Sequence, residues 1–192
     1  MKQAIKSMLP ILVLLTFFAC KENYVPKPRD YIKISYPEKS YQHFNSDAPF
    51  RFDYPVYARM SPDSSPNSQP YWYNLEFPSL GGTLYLSYKP VEGSPESFIQ
   101  DSRSLVYKHS IKAEAIDESI IHDSGRRVFG ILYDLKGNTA SSVQFFVTDS
   151  TRHFLRGSLY FNSQPDKDSM APVIRFVRED IIVMLKTLEW NP

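Results

Sequence analysis

The sequence predicts an α+β domain, an antiparallel β-sheet covered by helices, and three observations carry that prediction. Short runs between Tyr31 and Lys89 alternate apolar and polar residues, the period of half-buried strands. The period then changes to that of an amphipathic helix from Phe98 to His109. A second group of alternating runs follows from Arg127 to Phe161, and a wide apolar stripe runs from Val173 to Leu188. Strands in blocks, each block followed by one helix, suit an antiparallel sheet better than a βαβ succession.

Taken in order, Tyr31 to Tyr36 alternates and stops at Pro37, and Phe50 to Tyr54 alternates and stops at Pro55. Ser61 to Pro70 holds three prolines and four serines, which predicts a surface loop. Tyr71 to Phe77 is the next strand, and Gly81-Gly82 turns the chain into another from Thr83 to Lys89. Ser94 can cap a helix that has Pro95 in its first position. Phe98, Ile99, Ser102, Leu105, Val106 and His109 share one stripe, which Ala113 and Ile116 continue. The helix is placed over about Pro95 to Ser110. Arg127 to Leu135 returns to strand character, and Lys136-Gly137-Asn138 supplies hairpin-turn residues. Val143 to Thr148, the turn Asp149-Ser150-Thr151 and His153 to Phe161 complete a meander. After a loop from Ser163 to Asp168, Asp168 or Ser169 can cap a last helix with Pro172 in its first turn. Its stripe of Val173, Phe176, Val177, Ile181, Met184, Leu185 and Leu188 must lie on a sheet. No internal repeat is visible.

The N-terminus carries a different kind of information. Lys2 and Lys6 precede an apolar run from Met8 to Ala19, too short to span a bilayer but the length of a signal-peptide core. Cys20 is the only cysteine and follows the small residue Ala19. That arrangement reads as a bacterial lipobox, with cleavage before Cys20 and lipid attached to its sulfur. Phe17 and Phe18 make an untidy version of it. The organisation is thus a signal peptide over 1–19, a lipidated tether over 20–30 and a single domain over 31–192. The tether, with Pro26 and Pro28 among mixed charges, is semi-rigid and extended. Lys21 stands where an Asp would retain a lipoprotein in the inner membrane, so the outer membrane, facing the periplasm, is the first expectation. The inner membrane and the cell surface are the alternatives.

Composition excludes several classes. The 22 basic and 21 acidic residues nearly balance, and removal of Lys2 and Lys6 leaves no basic surplus for a nucleic-acid partner. Lipidation of Cys20 leaves no thiol for a disulfide, so the domain depends on packing. Chemistry-bearing residues are few. His109 lies on the helical stripe and reads as a core-edge side chain. His122-Asp123 reads as solvated loop. Asp166-Lys167-Asp168-Ser169 begins like a calcium loop but lacks the glycine and distal glutamate. Asp149, Ser150 and His153 lie close in sequence, yet turn chemistry accounts for Asp149 and Ser150, and triad members usually come from separate elements. No phosphate-binding loop, dinucleotide fingerprint or nucleophile elbow is present. No catalytic residue, metal site or cofactor is expected. Asn138, Asp149, Arg152, His153 and Arg156 form a polar, aromatic-flanked group suited to protein contact.

Residues Gly137 to Phe161, GNTASSVQFFVTDSTRHFLRGSLYF, closely resemble the gliding-motility lipoprotein GldD family of Bacteroidota. Pro26-Lys27-Pro28-Arg29, Ser87 to Val91, Tyr107 to Ala113 and Thr187 to Trp190 resemble it too, so the likeness covers essentially the whole mature chain. Asp30 departs from the pattern, which tends to have Gly there. The order of elements also looks like the Mog1/PsbP-like sandwich. The family resemblance implies an accessory lipoprotein of the gliding and type IX secretion apparatus, with no established enzymatic activity, whose partners are envelope proteins of that machine. It supplies only Cys20, the acylation site. An envelope hydrolase using Asp149 or His153, and a ligand-binding lipoprotein with an apolar pocket between sheet and helix, are the competing readings.

Overall fold

The computed structural model describes residues 35–108, 113–162 and 167–191. The signal peptide, Cys20, the tether, most of the run from Tyr31 to Tyr36, His109 and Ser163 to Asp166 lie outside the described residues. Ser35 and Tyr36, the described end of that run, carry no regular structure.

The strands are β1 (Tyr41–His43), β2 (Phe50–Arg51), β3 (Asp53–Pro55), β4 (Arg59–Pro62), β5 (Tyr73–Phe77) and β6 (Gly82–Pro90). Helix α1 (Glu96–Lys108) follows, then β7 (Ala113–Asp123), β8 (Val128–Gly137), β9 (Ser141–Thr148) and β10 (His153–Phe161). Helix α2 (Lys167–Thr187) and β11 (Glu189–Trp190) end the chain. A seven-stranded antiparallel sheet has the order β4-β5-β6-β10-β9-β8-β7. Two small pairs, β1 with β3 and β2 with β11, complete the strands. The α+β class is therefore the observed one.

Alternation along the strands builds two cores. Leu84, Leu86, Phe145, Val147, Leu155 and Leu159 pack with Val177, Ile181, Met184 and Leu185 of α2. Tyr133, Leu135, Phe146 and Phe154 point to the opposite face and pack with Val106 of α1, with Phe98 and Ile99 alongside. Strand β9 lies between both layers, and all eight of its residues are buried. Helix α1 begins as its sequence requires, with the Ser94 hydroxyl accepting from the Glu96 N–H at 3.3 Å. Its predicted stripe is only half realised, because Leu105 is exposed while Ser102 and Val106 are buried.

Several expectations are corrected in detail. Ala113 and Ile116 belong to β7, the sheet's edge, rather than to an extension of the helical stripe. His122 and Asp123, read as loop, are its last two residues. Phe50 to Tyr54 is two strands, divided at Phe52, with β3 paired to the nearby β1 and β2 to the C-terminal β11. Ser61 and Pro62 pair with Asn74 and Tyr73 before the loop begins. Pro172 is the sixth residue of α2, not in its first turn. Ile181 is buried as expected, whereas Phe176 is half-buried. Ile181→Ala should cost about 2–5 kcal/mol in thermal unfolding, the range for truncating a core aliphatic residue, and Phe176→Ala less. Equal losses would mean that the helix presents a different face.

Candidate functional site

The β9–β10 corner is built around one carboxylate. Asp149 is 4% exposed. Its Oδ1 accepts from the backbone N–H of Thr151 at 3.0 Å and of Arg152 and His153 at 2.8 Å, and Oδ2 accepts from the Thr151 hydroxyl at 2.8 Å. The short side chain can fold back on the turn that follows it, which is why Asp suits this position. Ser150 takes a left-handed backbone, φ 70°. Burial pushes the Asp149 carboxyl up, but the backbone donors of Arg152, Thr151 and His153 outweigh it and bring its pKa down to about 2.

His153 is 5% exposed and is bonded elsewhere. Its Nδ1 lies 2.9 Å from the Tyr88 hydroxyl on β6, and its ring stacks on Trp190 with centroids 5.1 Å apart and planes at 7°. Nε2 is buried with no partner among the described residues. Burial lowers the imidazole pKa against the pull of Asp149, and burial likewise raises the Tyr88 phenol. Trp190 in turn donates from Nε1 to the Arg127 carbonyl at 3.0 Å, and Arg127 donates from Nη2 to the Asp149 carbonyl and the Thr151 hydroxyl, both at 3.1 Å. The corner is thus closed from three elements distant in sequence. Asp149, Ser150 and His153 do not form a relay, because the carboxylate serves backbone donors and the imidazole serves Tyr88.

The other predicted contact residues lie apart. Arg152 is exposed at the corner. Asn138 is exposed at the other end of β9, about 25 Å away along eight residues of strand. Arg156 lies three residues into β10 and donates from Nη2 to Gln144 Oε1 at 3.0 Å. Sequence reasoning missed Tyr88, Arg127 and Trp190, whose roles depend on tertiary pairing.

It also missed a second buried carboxylate, Asp180 of α2, although a charge on an otherwise apolar stripe was a readable signal. Asp180 Oδ1 accepts from the Tyr41 hydroxyl at 2.9 Å and lies 3.2 Å from Lys39 Nζ, while Oδ2 accepts from Tyr57. Burial and these bonds raise the Tyr41 phenol to about 12 and Tyr57 further. Lys39 also bonds Glu179 at 2.8 Å and the Phe176 carbonyl at 2.9 Å, and Phe176 stacks on Tyr36 at 4.5 Å. These contacts fix the segment from Tyr36 to Tyr57 against α2. Among the described residues no group of three His, Cys, Asp or Glu side chains could share a metal ion. No helix among them is long and apolar enough to cross a membrane.

The geometry defines an α+β domain whose β9–β10 corner is closed by a buried carboxylate and a buried imidazole. The chain belongs to the gliding motility lipoprotein GldD family, whose model matches residues 21–190. A gliding-motility role and a lipid-anchored place in the cell envelope follow from that membership. Comparison with curated proteins finds no match. Among solved structures the chain is similar to cyanobacterial PsbP from Synechocystis, at 8% identity and a TM-score of 0.48, over 81% of this chain and 95% of that one.

Proposed function

We propose that this protein is an accessory component of the gliding and type IX secretion machinery, held by lipid on Cys20 to the outer membrane, facing the periplasm. It works through contacts with envelope proteins of that apparatus rather than through catalysis. The observation that supports contact is the edge strand β7. It is eleven residues long, no strand among the described residues pairs with its outer edge, and Ile120 on it is 83% exposed. Long exposed edges are usually blunted or covered because they template pairing with another chain, and strand addition is a common mode of protein recognition. The opposite edge, β4, has four residues and ends at Pro62.

Deleting the gene should abolish colony spreading or export of type IX cargo, and wild-type protein should restore it. Ile120→Lys, at a position that contributes little to folding, should yield stable, acylated protein that restores neither. Normal spreading and export in the deletion strain would rule out this role. Full rescue by Ile120→Lys would move the contact surface to the Arg152 corner. Hydrolysis of an ester or peptide by the purified protein, lost in His153→Ala, would put the enzyme reading in its place.

A further inference from the structure

The sheet face that carries α1 is divided. Helix α1 covers Phe146, Phe154, Tyr133 and Leu135, while Tyr85, Ser87 and Tyr160 lie toward the other side. Arg156 stands at the border. Strand register places it opposite Phe146 on β9 and Ser87 on β6. Ser158 follows two residues along, and Gln144 and Lys89 are its diagonal neighbours. No carboxylate occupies any of these positions. Among the described residues Arg156 has no ion-pair partner, although most of its side chain is buried. Burial lowers its pKa, and only the Tyr160 hydroxyl opposes that shift.

Arg156 is partly buried with no acid beside it among the described residues, and its surroundings add donors rather than acceptors. Gln144 is 0% exposed. Its Oε1 takes both the Arg156 bond and the Ser158 hydroxyl at 3.5 Å, which fixes which way the amide points. Its Nε2, attached to the same carbon as the oxygen that Arg156 reaches, is buried without a partner among the described residues. The Tyr133 hydroxyl, on the residue directly across from Gln144 on β8, also has no partner among the described residues. Unsatisfied buried donors are rare enough to need a cause. Beside them Tyr85 and Tyr160 meet edge to face with centroids 5.7 Å apart, and Tyr85 is 45% exposed. Tyr160 braces Tyr85, whose exposed ring offers a surface for the body of a ligand.

We propose that this face binds a carboxylate, held by the donors of Arg156 that Gln144 does not take, with the rest of the ligand against Tyr85. A planar two-oxygen acceptor matches the guanidinium fork. The carboxylate belongs to a free organic acid or to the end of a peptide chain. The site is independent of the β7 edge and of the secretion reading.

The test uses the acylated protein in detergent micelles, titrated with acetate, with N-acetyl-Ala-Ala, with its C-terminal amide and with inorganic phosphate, at constant ionic strength. The expected result is a saturable rise in melting temperature, together with a shift of one arginine Nε–H resonance, for the free carboxylates and not for the amide. Arg156→Gln should weaken binding about tenfold or more, and Arg156→Lys should not restore it, because the fork is lost. Much tighter binding of the dipeptide than of acetate would identify a chain terminus, and equal binding a free acid. The absence of saturable binding by any carboxylate to the wild-type protein would overturn the proposal, whatever the variants do. Equal binding by Arg156→Gln, or phosphate binding as well as the carboxylates, would overturn it too.

Discussion

Gly130→Ala is expected to leave little folded protein. Gly130 sits in β8 opposite Val147, and a Cβ built there would lie 1.9 Å from the Phe146 carbonyl oxygen and 2.9 Å from Val147 Cα. Both atoms are backbone of β9, the strand buried at every position between the two cores. A side chain could rotate away from such a clash, but the backbone of a central strand cannot move without breaking its pairs with β8 and β10 and disturbing both cores. Clashes of this kind belong to the small class of substitutions costing about 4 kcal/mol or more, a large part of the roughly 5–15 kcal/mol that stabilises a domain. Melting followed by circular dichroism should show a fall of about 10 °C or more, or no cooperative transition. Gly125→Ala is the control, since a Cβ there meets only Asp123 Oδ1 at 3.4 Å. Similar melting of the two variants would mean that β8 and β9 are not so closely apposed.

The sequence was most legible where local pattern and tertiary placement agree. The strands now seen as β6, β9 and β10 alternate clearly because one or both of their faces meet a core. The stripe of α2 was readable for the same reason. Strand β7 was not, because most of its residues are exposed and a register shift between Ala113 and Ala115 breaks its alternation. An edge strand without a buried face leaves almost no period in the sequence. Phe50 to Tyr54 showed the right alternation but not its division, since β3 answers to the nearby Tyr41 strand while β2 answers to Trp190, far away in the chain. Similar limits apply to the corner. The turn role of Asp149 follows from its residue type, but the burial of His153 depends on Tyr88 and Trp190, and local sequence does not bring those rings together. Arg156 looked like a surface charge for the same reason. Its missing counter-ion shows only when β6, β9 and β10 are laid side by side.

Replacing Asp149 should cost nearly as much as the glycine substitution, and acid should reproduce part of the loss. In the folded chain the carboxyl has a pKa of about 2 against an ordinary value of 3.8. A carboxyl with a depressed folded pKa contributes stability that is complete above its unfolded value and disappears as pH falls toward its folded one. For Asp149 that window runs from about pH 4 to about pH 2 and is worth roughly 2 kcal/mol. His153 acts in the same direction at higher pH. Its folded pKa lies below the ordinary 6.5, so the unfolded chain binds the proton more readily, and stability begins to fall as pH drops through that value. Asp149→Asn keeps one acceptor oxygen but loses the charge and offers an amide N–H₂ where Oδ2 accepts from Thr151, so a loss of about 2–4 kcal/mol is expected at neutral pH. Denaturant unfolding from pH 8 to pH 2 should therefore show two descending steps in the wild-type protein. Asp149→Asn should start lower, retain the step near pH 6.5 and flatten below pH 4, while His153→Phe should lose the upper step and keep the lower. A variant without Asp149 that still loses stability below pH 4 as steeply as the wild type would show that some other carboxylate governs acid unfolding, and that the turn does not depend on this one.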